Sequence, residues 1–348
     1  MNNSEKRKYL NAMLGNLNGP ATIADLDNRS YFVKGIPNKL FKFKKLNEHT
    51  VDSIAKDYIY LSNVNSLDDP FECINVSKLS KVYNFKNNRL TKHAIGFLVS
   101  KLDSRFYNSE AKQTIKRLTI DCIYNKDKTI DNELFFRYNN AIECLVNLNN
   151  NFVAYFNSVV SSDFEEAVIK PNEHIGIFSL SETRDNKVMW SLYGNQYKGI
   201  CIEYEIPRIS DVIKNLFPVI YTKKTVSRYE EKLLETIAAI NQKYGMFKHL
   251  DVNECSIYEC FCTKDSDWEY QKEWRLIGSI GKVPIKNIKI KAIYLGFKVS
   301  KKKTKDMMEI ARDKFNLYKM CVPNGDKKIR YSTLYQYEKC EATKKGDH

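Results

Sequence analysis

The sequence lacks any apolar run close to the roughly 20 residues that a helix needs to cross a bilayer, so we expect no membrane span. It also lacks a Cys-x-x-Cys pair and an internal repeat. Its nine cysteines form an odd number, and no secretory signal precedes them. These absences argue against a disulfide framework and predict reduced thiols in a cytoplasmic protein.

Metal-ligand spacing is also missing. Cys255, Cys260 and Cys262 lie close together with His249 nearby, which leaves a zinc site open as one interpretation. Without a second ligand pair, the same residues are better explained as buried cysteines in strands. We therefore predict no metal.

Acidic residues are in deficit. The chain has 56 Lys and Arg against 42 Asp and Glu, giving a formal net charge of +14. A nucleic acid is a reasonable partner for such a chain. Much of the excess lies in Asn- and Lys-rich segments such as 84–92 and 301–305, which are typical of solvated loops and helix starts, and no base-reading motif accompanies it.

The composition is that of a globular protein, since 43% of the 348 residues are hydrophobic. Alternating apolar and polar residues predict short strands over 39–45, 59–62, 174–182, 199–207, 270–277 and 288–297. Apolar residues at helical spacing predict helices over 91–102, 111–124 and 130–160. We expect an α+β protein with a small split sheet and a mostly helical insertion.

Five segments follow from this pattern. We expect an N-terminal extension over 1–35, a core made of 36–77 and 174–325, a helical insertion over 78–173, and a basic tail over 326–348. A short helix is expected at Glu5–Leu17 within the extension.

The most informative stretch is 267–277, where three aromatic and three acidic residues lead into an apolar tail. Alternation from Tyr270 onward predicts that Gln271 and Glu273 share one face of a strand and can grip one ligand together. A solvated edge strand explains the same alternation. On another strand, Glu203 and Glu205 share a face that we interpret as pointing outward.

Four features follow one another along the chain. They are a basic first strand with Lys42 and Lys44, an aromatic second strand with Tyr58 and Tyr60, the Ser179-x-Ser181 pair, and Gln271-x-Glu273. This order resembles the ADP-ribosyltransferase fold, which has a basic residue on the first strand, a serine or tyrosine on a middle strand and a Gln/Glu-x-Glu late in the chain. The helix with Met189-Trp190-Ser191 and the apolar strand 199–207 also resemble that fold.

The chain is more closely similar to a widespread bacterial family known only as domain of unknown function 2971. The similarity covers about residues 38 to 325. The residues that carry it include Asp69-Pro70-Phe71-Glu72, Met189-Trp190-Ser191-Leu192-Tyr193-Gly194, Trp268-Glu269-Tyr270-Gln271-Lys272-Glu273-Trp274-Arg275 and Tyr294-Leu295-Gly296-Phe297. Members of that family often occur among candidate phage-defence, abortive-infection or toxin genes.

These resemblances imply a transferase that consumes NAD as co-substrate and modifies a macromolecule, possibly RNA or DNA and otherwise protein, in phage defence or as a toxin. Glu273 would stabilise the positive charge that develops on the ribose, and Gln271 would orient the acceptor.

The implied NAD-binding residues are Lys42 or Lys44 at the pyrophosphate, Ser179 or Ser181 at the sugar, and Tyr60 at the nicotinamide with Ser62 beside it. An antitoxin or another defence-system protein is an implied partner.

Two other functions stay open at this point. The same fold could bind a nucleotide or nucleic acid without chemistry, as a sensor or partner module. The acidic residues Asp68, Asp69 and Glu72 could instead serve a Mg²⁺-dependent nuclease, although a proline-closed turn explains them equally well.

Overall fold

A computed structural model provides the structure of the chain. It describes residues 1–14, 35–67, 69, 83–84, 87, 89–124, 131–159, 174–206, 215–223, 231–232, 234–235, 238, 250, 260–285, 288–321 and 328–336. Side chains are described for these residues except 11–14, 65, 83 and 151–159. The sequence also predicts a helix from Ser227 to about Tyr244, of which these residues describe only fragments. The motif residues Asp68, Pro70, Phe71 and Glu72 lie outside the described residues.

The chain divides into two compact units. The first contains residues 1–28, 63–175 and 220–265, and the second contains residues 29–62, 176–219 and 266–348. The five segments expected from the sequence stay a prediction. The coarse fold class is confirmed, because the chain combines helices with an open sheet of mixed strand direction.

The first unit is built mainly from helices. They are α1 (Asn3–Leu14), α3 (Lys92–Ser100), α4 (Ser109–Tyr124) and α5 (Asn132–Val159). The hydroxyl oxygen of Thr91 starts α3 by accepting a hydrogen bond from the amide of Ala94 at 3.2 Å. Two short strand pairs, β3 (Tyr83–Asn84) with β4 (Arg89–Leu90) and β8 (Ile220–Tyr221) with β9 (Thr263–Lys264), complete this unit.

The apolar stripes predicted for these helices do form buried faces. The buried residues are Ala94, Ile95, Leu98 and Val99 on α3, Ala111, Ile115 and Leu118 on α4, and Ala141, Ile142, Leu145 and Leu148 on α5. No helix in the described part of the chain is both long enough and apolar enough to span a membrane.

The second unit is organised around a ten-stranded sheet. Its strands are β1 (Lys39–Lys44), β2 (Tyr58–Asn63), β5 (Ile175–Ser181), β6 (Ile200–Glu205), β7 (Leu216–Pro218), β10 (Glu273–Ser279), β11 (Gly281–Pro284), β12 (Lys289–Leu295), β13 (Asn316–Met320) and β14 (Tyr331–Tyr335). The helices are α2 (Glu48–Ala55), α6 (Lys187–Leu192) and α7 (Lys301–Ala311), with a 3₁₀ turn at 266–271, whereas the 3₁₀ turn at 64–66 belongs to the first unit.

The strands follow the order β11-β2-β5-β1-β6-β12-β13-β14, and β10 pairs with both β5 and β7. The pairs β1–β5, β1–β6, β6–β12, β7–β10, β2–β11 and β13–β14 are antiparallel, and β12 pairs with β13 in parallel. The strand that carries Glu273 is therefore a neighbour of the serine-bearing strand β5, which in turn pairs with the basic strand β1.

Strand register defines the two faces near the centre of the sheet. Phe41 of β1 pairs with Ser181 of β5 and with Glu203 of β6. Residues in register point to the same side, so these three define one face, which we call the Glu203 face. The helix α6 packs on it, because Trp190 is fully buried in a cluster that contains Phe41 and Tyr294.

Candidate functional site

Glu273 begins strand β10 and lies in the interior with Arg275, two residues further along the same face. The Arg275 Nε donates to Glu273 Oε1 at 2.9 Å, and Nη2 donates to Oε2 at 3.3 Å. Only 5% of Glu273 is exposed, and none of Arg275 is. The arrangement is a forked pair that holds the Glu273 side chain in one orientation.

The turn before this strand departs from the expectation. Gln271 ends a 3₁₀ turn at 266–271, and Lys272 has a positive φ of 45°. The expected single strand over 270–277 is therefore wrong at its start, and Gln271 does not share a strand face with Glu273. The acidic and aromatic residues over 266–271 form a 3₁₀ turn instead of extended backbone.

Ser181 connects this turn to the central strand. Its Oγ donates a hydrogen bond to the carbonyl oxygen of Gln271 at 2.6 Å, and both residues are buried. The Gln271 side chain amide donates a separate hydrogen bond, to the Tyr193 hydroxyl at 2.8 Å. A further bond from the amide of Glu182 to the carbonyl of Lys272 closes the junction. Ser181 and Gln271 are thus brought together, beside Glu273.

Lys42 and Lys44 do not join that group. They alternate with Phe41 along β1 and therefore lie on the opposite side of the sheet from Ser181. Lys42 extends its ammonium over the ring of Phe178, 5.0 Å from the ring centre. Lys44 is half-buried, and burial lowers its pKa below the ordinary lysine value. Within the sheet, the two predicted pyrophosphate-binding lysines are therefore not on the side that carries Ser179 and Ser181.

The remaining predicted residues occupy separate positions. Tyr60 is exposed on β2, opposite Lys282 of β11, and Ser62 follows it half-buried on the same strand. Ser179 is half-buried on β5 and alternates onto the side that carries Ser181. Trp190 and Trp274 are almost fully buried.

A second polar group lies on the Glu203 face. The Nη1 of Arg184 donates to the hydroxyl of Tyr294, and that hydroxyl donates to Glu203 Oε2 at 2.7 Å. Arg184 Nη1 lies 3.9 Å from the same carboxylate, and its guanidinium stacks 4.5 Å from the Tyr294 ring centre and 5.1 Å from that of Tyr331. The outward interpretation of Glu203 is therefore wrong, since only its neighbour Glu205 is exposed.

The sequence supplied a weak signal for this group. Arg184 belongs to the turn that follows the Ser179-x-Ser181 strand, and turn residues that follow a functional strand are themselves candidates. Tyr294 belongs to one of the segments that carry the family resemblance, but nothing in its pattern separated it from an ordinary core tyrosine in an apolar strand. Burial raises the pKa of Tyr294, and the bond to Glu203 raises it further, so its hydroxyl stays protonated and remains a donor.

A cleft of about 470 Å³ lies elsewhere in the second unit. No sequence-predicted site residue lines it, and two of its lysines approach carboxylates, with Lys291 Nζ 4.0 Å from Glu205 and Lys314 Nζ 3.6 Å from Asp57. Within the described ranges, no group of three His, Cys, Asp or Glu side chains could hold a metal ion. Asp69 is buried.

Comparison with known proteins gives one match. The family model described as "Protein of unknown function (DUF2971)" matches residues 189–276, from the third residue of α6 to the middle of β10. The matched segment includes Glu203, Gln271 and Glu273, and it excludes Ser181 and Arg184. No curated protein and no solved structure matches the chain.

Proposed function

We propose that the chain is an ADP-ribosyltransferase that consumes NAD and modifies a macromolecule. The observation that carries the proposal is the adjacency of β10, β5 and β1, with the Ser181 Oγ bonded to the Gln271 carbonyl two residues before Glu273. Three sequence-distant motifs of the resembled fold thus occupy neighbouring strands. The ADP-ribosyltransferase-like identity of the sheet is part of the proposal.

The proposed reaction breaks the bond between C1 of ribose and the nicotinamide nitrogen. The electron pair leaves with neutral nicotinamide, and positive charge develops on the sugar. A nucleophile of the acceptor forms the new bond to C1 and loses its proton. The Glu273 carboxylate, fixed in orientation by Arg275, supplies the opposite charge without needing to reorganise during the reaction.

The net charge of +14 favours a nucleic acid as acceptor. The setting in phage defence or toxicity, with an antitoxin or defence partner, belongs to the proposal and rests on the family resemblance alone.

The test is release of free nicotinamide from NAD, measured alone and with RNA, DNA or cell lysate. We expect Glu273→Asp to lower the rate strongly, because the shorter side chain withdraws the charge, and Glu269→Gln on the exposed side of the preceding turn to leave it unchanged. Nicotinamide release at the wild-type rate from a folded Glu273 variant would exclude the proposal.

A second candidate is a nucleotide-binding module without chemistry. It is favoured by the deep burial of Glu273 against Arg275, which resembles a structural ion pair as much as a catalytic acid. This candidate predicts nucleotide affinity with no nicotinamide release under any acceptor condition.

A further inference from the structure

The polar group on the Glu203 face has bonding capacity that the fold does not use. A guanidinium can donate five hydrogen bonds, and Arg184 makes one side-chain bond to the described residues, to the Tyr294 hydroxyl. Its Nε approaches Asp185 Oδ1 only to 3.4 Å. About a third of the Arg184 side chain is exposed (32%), so the remaining donors have access to solvent.

Glu203 is under-bonded in the same way. A carboxylate can accept about four hydrogen bonds, and Glu203 accepts one among the described residues, from Tyr294. Its other charged neighbours, Lys39 Nζ and Arg184 Nη1, lie at 3.7 and 3.9 Å, beyond direct hydrogen-bond distance. A carboxylate whose side chain is only 8% exposed is costly to leave in this state, so it suits a ligand that brings hydroxyl donors.

Tyrosine rings border the polar group formed by Arg184 and Glu203. Tyr294 stacks on Tyr318 with ring centres 5.0 Å apart, and Tyr331 meets Tyr294 edge-on at 4.9 Å. Tyr318 and Tyr331 are both half-buried, so each residue keeps some exposed surface. Tyrosine rings beside a charged group are suited to contact with a planar heterocycle.

We propose that Arg184, Glu203 and Tyr294 form a subsite for the ribose phosphate of a nucleotide. Glu203 accepts hydrogen bonds from the vicinal ribose hydroxyls, a role that acidic residues fill in other nucleotide sites. The unused donors of Arg184 hold the phosphate, for which a guanidinium fork is well matched. Tyr294 bridges the two side chains and holds both in position, and the rings of Tyr318 and Tyr331 border the base.

This inference deepens the proposed function, since NAD carries two ribose phosphates, but it rests on separate residues. In this subsite the cation is Arg184, which contacts the side of the sheet that carries Ser181 and Glu203. Lys42 and Lys44 lie on the opposite side.

The test is calorimetric titration of the full chain with AMP, 2′,3′-dideoxy-AMP and adenosine. We expect AMP to bind, and removal of the diol or of the phosphate to weaken binding about tenfold or more. Glu203→Gln should weaken AMP binding and leave dideoxy-AMP unaffected, whereas Arg184→Lys should weaken AMP binding and leave adenosine unaffected. The matched control is Glu205→Gln, two residues along the same strand and exposed.

Tyr294→Phe provides a variant that keeps the packing and removes only the bridging hydroxyl, and it should weaken AMP binding as well. Absence of AMP binding by the wild type at millimolar concentration would overturn the inference. Equal losses of AMP and dideoxy-AMP affinity in folded Glu203→Gln would also overturn it. The proposed function is tested apart from this: nicotinamide release that depends on Glu273 but not on Arg184 would retain the transferase and reject the subsite.

Discussion

The pair formed by Glu273 and Arg275 can be tested as a structural element independently of any activity. Glu273→Gln removes the charge opposite a guanidinium that has no exposed surface and two hydrogen bonds to the carboxylate, at 2.9 and 3.3 Å. Removing the acidic partner withdraws the opposite charge from a buried guanidinium, and breaking a buried pair in this way typically costs about 3–5 kcal/mol. We expect the free energy of unfolding of the second unit to fall by about that amount.

A double variant distinguishes the effect of losing the charge from the effect of changing the side-chain volume. Glu273→Gln combined with Arg275→Met removes both charges and keeps similar volumes, and buried pairs replaced in this way are often close to neutral. We therefore expect the double variant to recover most of the stability that the single variant loses. That coupling is the quantity a double-mutant cycle measures.

Urea unfolding followed by tryptophan fluorescence suits this measurement, because all three tryptophans lie in the second unit and Trp190 and Trp274 are almost fully buried. Glu269→Gln is the control, since Glu269 is exposed and its substitution should stay within about 0.5 kcal/mol. If Glu273→Gln unfolds at the same urea concentration as Glu269→Gln, the reasoning about the buried pair is wrong.

Three further predictions follow from packing and charge. Gly296→Ala should destabilise by about 1–3 kcal/mol in urea unfolding, because a Cβ there would lie 2.2 Å from the Tyr197 carbonyl oxygen, whereas Gly278→Ala, which meets only the end of a side chain, should cost less. Lys44→Met should raise the melting temperature near neutral pH. Burial lowers the folded-state pKa of Lys44, so the stability of the wild type rises with pH between that pKa and the ordinary value of 10.5. The stability advantage of the Met variant should therefore vanish above pH 10.5. An advantage that does not change with pH would refute this reasoning. The third prediction concerns three exposed lysines, Lys301, Lys302 and Lys305. If the acceptor is a nucleic acid, reversing their charge should reduce by about 2–3 the slope of the logarithm of the RNA or DNA binding constant against the logarithm of salt concentration. An unchanged slope would place the contact elsewhere.

Local sequence patterns were sufficient to predict several of the strands and helices. The alternation of Phe41 and Phe43 with Lys42 and Lys44 predicted β1, and strand β6 follows from the apolar run at 200–202. The helix α6 could be read from Asn186, whose side chain caps it by accepting from the amides of Val188 and Met189. The start of β10 could not be predicted, because the positive φ at Lys272 that ends the preceding turn depends on contacts with distant residues, including the bond from Ser181.

The sequence by itself determined the class of the fold, the helices of the first unit and the residue types available for chemistry, because periodicity and capping act over a few neighbouring residues. Tertiary structure alone decided which of those residues meet. Strand order brought Glu273 beside Ser181, and register assigned Lys42 and Ser181 to opposite sides of one sheet. It also buried Glu203 under Tyr294 and Arg184, because the side on which a strand is covered depends on which helix packs there.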